Sequence, residues 1–85
     1  MVSDETMMFR FGADENRAEH VIGSTVKAMV EKGYNPVNQL VGYLASGDPT
    51  YITSYNGARS MIAKVDRDEI LEELVTNYIE ILQNR

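Results

Sequence analysis

Three groups of side chains in this sequence are of types that do chemistry. The carboxylates Asp66, Asp68, Glu69, Glu72 and Glu73 crowd one short stretch. Paired carboxylates serve as general acid and base only where a cleft pushes their pKa values apart. Nothing in the sequence marks such a cleft, and acidic residues are favoured in a first helical turn by the macrodipole. They read as the solvated start of a helix. His20 is the single histidine. It lies off the apolar face of its segment and has no second ligand one turn on, so it reads as a surface residue, not a metal ligand or base. The hydroxyls of Ser3 and Thr6 bracket Asp4 and Glu5 near the N-terminus. An exposed terminus of this kind suits a kinase active site, and phosphate adds about −1.5 to −2 charges. That charge would repel Asp4 and Glu5 unless Arg10 or Arg17 paired with it. No nucleophile elbow, P-loop or GxGxxG occurs. The expectation is a protein that is not an enzyme and needs no metal or cofactor.

Composition narrows the class further. Eighty-five residues make one domain, and a chain of this size buries only about 60% of its unfolded surface. There are no cysteines, so disulfide staples and thiolate metal sites are excluded, and small unstapled domains often gain stability by assembling. No apolar run approaches the roughly 18 residues of a membrane span. The acidic start MVSDETMMFRF lacks the basic and apolar regions of a signal peptide. A net charge of −5 gives no long-range attraction to nucleic acid or anionic lipid. These features predict a cytoplasmic protein with no membrane insertion.

The elements that must position these groups follow from periodicity and caps. Residues 1–12 show no helical period and are expected to form a flexible arm carrying Ser3 and Thr6, ahead of a single helical domain over residues 13–85. Met7–Phe11 is too apolar for a free tail. It is either docked through Phe9 and Phe11 or a short strand. Helix 1 is expected from Asp14 or Asn16, where Asn16 and Glu19 have capping-box spacing, with Ala18, Ile22, Val26, Met29 and Val30 on its apolar side. Gly33 ends it as a left-handed C′ residue. Asn35-Pro36 starts helix 2 as N-cap and N1 proline, and Val37, Leu40, Val41 and Leu44 form its inner face. After Gly47, Asp48-Pro49 repeats the device, predicting one helical turn or a type I turn. Helix 3 is expected from Thr53 to Val65, with Ala58, Met61, Ile62 and Val65 inward. Asp66 and Glu69 offer a second capping box for helix 4, which runs to about Gln83.

Helix 4 is apolar around half its circumference, through Ile70, Leu71, Leu74, Val75, Tyr78, Ile79, Ile81 and Leu82. One small core needs a stripe of only roughly 100°. Either a second protomer covers the surplus, most simply with the same helix, or helix 4 is central within one protomer. The first reading predicts a homodimer with Ile70, Leu74, Tyr78 and Ile81 at the interface. Tyr34, Tyr43, Tyr51 and Tyr55 join the candidates, since tyrosines are frequent at interfaces, although they equally rim small cores. The fold class is therefore all-α: about four short helices in a compact bundle with a helix-turn-helix-like centre. That centre supports an alternative, a DNA-binding regulator reading through Ser54, Asn56, Arg59, Ser60 and Lys64, but few cations and an acidic whole argue against it. An adaptor that works without phosphorylation is a third reading.

The stretches KGYNPVNQLVGYLASGDPTYIT, YNGAR and RDEILEELVTNYI, with the DETMMFRF start, closely resemble the IreB family of small Gram-positive bacterial proteins. The resemblance runs over nearly the whole chain. It implies a non-enzymatic regulatory phosphoprotein, substrate of a transmembrane Ser/Thr kinase with extracellular PASTA repeats and of an opposing phosphatase. It also implies a negative regulator of cephalosporin resistance within the cell-envelope stress response, acting through a downstream partner the residues do not name. By the DET match Thr6 takes the place of a family phosphothreonine, and Ser3 stands where a further threonine can occur. Thr53 replaces the proline that family members commonly carry after YI.

Overall fold

The computed structural model describes the backbone of residues 2–85 and the side chains of residues 17–85. Four helices form it: α1 (Val2–Lys32), α2 (Pro36–Ser46), α3 (Ala58–Ala63) and α4 (Arg67–Gln83), with 3₁₀ turns at Pro49–Tyr51 and Tyr55–Gly57 between α2 and α3. There is no strand among the described residues, and the all-α class predicted from periodicity is the class observed. α1 packs against α3 and α4 and touches α2. Met29, Ile52, Ile62 and Ile70 form the fully buried centre.

α1 is longer than its caps predict. Its backbone is already helical at Val2, not at Asp14 or Asn16. No proline interrupts residues 2–32, and Glu, Met, Ala and Arg propagate a helix well. The Asn16–Glu19 spacing marks a start only where the preceding chain leaves the helix, and here it does not. The strand reading of Met7–Phe11 is likewise replaced by helix. The docking of Phe9 and Phe11, the hydroxyls of Ser3 and Thr6, and the division at residues 12 and 13 concern side chains outside the described set. Further along α1, Ala18, Val21, Thr25, Ala28 and Met29 are buried, recurring at helical spacing. Val30, expected on this face, is 61% exposed, because one residue past Met29 turns the side chain roughly 100° away from the stripe.

The helix ends follow their sequence signals closely. At Gly33 (φ +85°) the Gly33 N–H donates to the Val30 carbonyl at 3.0 Å and the Tyr34 N–H to the Met29 carbonyl at 2.8 Å. This pair of bonds is a Schellman motif. Asn35 Oδ1 accepts from the Asn38 N–H at 3.1 Å with Pro36 at the first helical position. Gly47 closes α2 in the left-handed conformation, donating to the Tyr43 carbonyl at 2.7 Å. Asp48 Oδ1 then accepts both the backbone N–H and the hydroxyl of Thr50, at 3.0 and 2.7 Å. The Pro49–Tyr51 turn is the one expected.

Two faces depart from expectation. In α2, Tyr43 takes the buried position with Leu40 and Leu44 packed beside it, and this rotation turns Val37 and Val41 outward, 67% and 59% exposed. α3 begins at Ala58 instead of Thr53. Thr53 Oγ1 accepts from the Tyr55 N–H at 3.2 Å, and Asn56 (φ +52°) and Gly57 (φ +72°) are consecutive left-handed residues that no α-helix accommodates. At the start of α4, Asp66 occupies the N-cap with extended backbone, but its side chain makes no capping bond. The expected capping box is not formed there.

Candidate interaction surface

The titratable groups do not converge. Asp66, Arg67, Asp68 and Leu71 line an open hollow of about 420 Å³. Arg67 is committed elsewhere, its Nη1 donating to the Leu44 carbonyl at 3.0 Å. Glu73 Oε2 accepts from Asn77 Nδ2 at 2.8 Å. His20 is exposed. No group of three or more His, Cys, Asp or Glu side chains among the described residues is placed to hold a metal ion. At Asp48 the carboxyl is held below its ordinary value first by the Thr50 backbone N–H and then by the Thr50 hydroxyl. Its cause is a turn cap.

The centre that resembles a helix-turn-helix is built differently from a DNA reader. The turn of that motif spans about 3–4 residues, whereas here the connection runs from Gly47 to Gly57. α3 has only six residues. Arg59 Nε donates to the Ile52 carbonyl at 2.8 Å, so the most direct candidate for a phosphate contact instead braces the connection.

Of the residues expected at an interface, Tyr43 and Ile70 lie in the core. Tyr43 fills the bundle interior and Ile70 anchors α4, so neither presents a surface. Leu74 is half-buried against the core. Tyr55 is partly exposed with Lys32 Nζ 5.2 Å from its ring centroid, a cation–π distance. The Tyr51 ring covers Gly42 so closely that a Cβ there would meet it. Tyr34, Tyr78 and Ile81 are exposed.

Two apolar surfaces result among the described residues. On α4, Leu71, Val75, Tyr78, Ile79, Ile81 and Leu82 are 40–57% exposed. The second surface, at the α1–α2 corner, consists of Val30, Tyr34, Val37 and Val41. Periodicity assigned most of these to the core. The signal available was charge: Gly33 to Gly47 contains no charged residue in a chain that is 25% charged.

The described residues thus make a small all-α protein with exposed apolar helix faces. The chain belongs to the IreB regulatory phosphoprotein family, whose model matches residues 4–80. It is 53% identical over 78 residues to a UPF0297 protein of Ruminiclostridium cellulolyticum, an alignment covering 91% of this chain and 89% of that protein. A UPF0297 protein of Acetivibrio thermocellus is 54% identical over 81 residues, covering 94% and 90% respectively. The resemblance read from the GYNP, NQLVGYL and SGDPTYI stretches is thereby established. No helix among the described residues is long and apolar enough to cross a membrane.

Proposed function

We propose that this protein is a cytoplasmic, non-enzymatic regulatory phosphoprotein. In this reading it is the substrate of a PASTA-type transmembrane Ser/Thr kinase and its cognate phosphatase. It restrains the cell-envelope stress response that underlies cephalosporin resistance. Residues 1–12 act as the modifiable arm, with Thr6 the principal phosphoacceptor and Ser3 a further one. The outward face of α4 makes the protein a homodimer, and a downstream protein reads the phosphorylated state. Membership of a regulatory phosphoprotein family over residues 4–80 is the observation that carries this reading. The uncovered apolar half of α4 supports the dimer, because contiguous exposed apolar surface marks protein contacts.

The test is phosphosite mapping by mass spectrometry after incubation with the cognate kinase, for the wild type and Thr6→Ala. Phosphate on Thr6, largely lost in the variant, is the expected result. An unmodified Thr6 in the wild type would overturn the assignment of the arm.

A further inference from the structure

The connection between α2 and α3 ends in a dipeptide able to react with its own chain. Asn56 (φ +52°, ψ +31°) and Gly57 (φ +72°) are both left-handed and both exposed. Asparagine is enriched among the residues with a side chain that enter this region, and glycine enters it freely. The Gly57 nitrogen can attack the side-chain carbonyl carbon of Asn56, forming a C–N bond while the bond to the side-chain nitrogen breaks. Ammonia leaves with the proton that the Gly57 nitrogen sheds, and a cyclic imide remains. Water then opens one of the two imide carbonyls. Cutting the new C–N bond gives aspartate, and cutting the original main-chain bond gives isoaspartate.

The surroundings of each asparagine single out this one. Asn35 precedes Pro36, whose nitrogen has no hydrogen to shed. The Gln39 N–H, after Asn38, donates to the Asn35 carbonyl at 3.2 Å. Tyr78 follows Asn77 inside α4, where the helix holds the backbone N–H. Arginine follows Asn16 and Asn84, and its side chain crowds the attacking nitrogen as glycine does not. The Gly57 N–H, by contrast, donates in a single turn bond to the Ser54 carbonyl at 3.1 Å. No side chain caps the Tyr55–Gly57 turn or the start of α3. Solvent-exposed backbone bonds of this kind open locally, without unfolding of the core. We propose that Asn56 is a site of spontaneous covalent modification, converted to aspartate and isoaspartate through local opening of this turn. Isoaspartate carries an extra methylene in the main chain, so the left-handed turn is lost with it. Ala58 is buried directly after that turn, and Arg59 Nε donates to the Ile52 carbonyl at 2.8 Å. The isoaspartate form therefore loosens the start of α3.

The test incubates the whole protein at physiological temperature and mildly alkaline pH, beside a sample in denaturing urea. Tryptic peptides are sequenced by mass spectrometry for the mass gain of an amide-to-acid conversion, and isoaspartate is counted with an isoaspartyl methyltransferase. The expected result is conversion at Asn56 in the folded protein, several-fold faster than at any other asparagine, with isoaspartate among the products. Conversion in urea alone would mean that the turn locks the Gly57 nitrogen, and it would overturn the proposal. So would the absence of conversion in both samples. Asn56→Gly suits the left-handed position and is expected to keep the helical circular-dichroism spectrum while losing the mass gain. A gain that persists in this variant places the reaction at another asparagine and overturns the assignment. The effect on α3 has its own readout in hydrogen exchange. The purified isoaspartate form should exchange several-fold faster across Ala58–Ala63 than Asn56→Asp, which gains the same charge without the extra carbon. Equal protection in the two overturns the loosening of α3.

Discussion

Thr25 is fully buried on the core face of α1, and its hydroxyl has no hydrogen-bond partner among the described residues. An unsatisfied buried polar group costs about 1–3 kcal/mol, and an apolar isostere avoids that cost. Thr25→Val is therefore expected to stabilise the protein by about 1 kcal/mol, read as a higher midpoint in urea at unchanged m-value. A lower midpoint would show that the hydroxyl is satisfied in solution. Asp48 gives a pH-dependent counterpart. Its folded carboxyl titrates below the ordinary value of 3.8 because it accepts from the Thr50 N–H and hydroxyl. A depressed folded pKa means stability that is present above the unfolded value and lost as pH falls through the folded one. Asp48→Asn should lose less stability than the wild type as pH drops below 3.8, measured by thermal melts across the acid range. Parallel acid profiles would refute it.

Arginines bind the elements to one another. Arg17 Nη2 donates to the Lys64 carbonyl at 2.7 Å, just beyond α3. Arg67 reaches the Leu44 carbonyl near the end of α2. A cation at a helix C-terminus satisfies an orphan carbonyl and opposes the negative end of the dipole. The guanidinium of Arg67 also lies within 3.0–3.1 Å of where a Cβ on Gly47 would stand, so the α2 stop and the α4 start are fitted to each other. Arg67→Leu should cost about 1 kcal/mol in chemical denaturation. Arg67→Lys should recover little of it, since an ammonium lacks the planar fork. Recovery by lysine would mean that charge alone sufficed. Neither link has a local signature, because each joins residues far apart in sequence.

At the scale of the molecule, α4 changes environment along its length. Ile70 is fully buried, whereas Tyr78 is 57% exposed. Ile70→Ala should therefore destabilise the fold by about 2–5 kcal/mol. Tyr78→Glu should leave the helical circular-dichroism spectrum unchanged yet shift sedimentation to the monomer. A Tyr78→Glu protein that unfolds would place that residue in the folding core of the single chain. One apolar half-circumference is thus buried near its start and exposed further along.

The sequence by itself determined the punctuation of this protein and its family. Gly33, Asn35-Pro36, Gly47 and Asp48-Pro49 act through backbone conformation and hydrogen bonds spanning a few residues, so their outcome is readable locally. The same holds for the amphipathic period that makes the chain all-α. Tertiary structure alone decided which apolar residues are inside. Val30, Val37 and Val41 satisfy a helical period as well as Met29, Leu40 and Leu44 do, and periodicity reports an apolar side without saying how each helix is rotated against its neighbours. That rotation was set by packing around Met29, Ile52, Ile62 and Ile70, which come from four separate segments. Asn56 and Gly57 moved the start of α3 for a related reason. Their left-handed turn fits the brace that Arg59 and Gln39 make to the connection, a pairing that exists only once α2 and α3 have each packed against it.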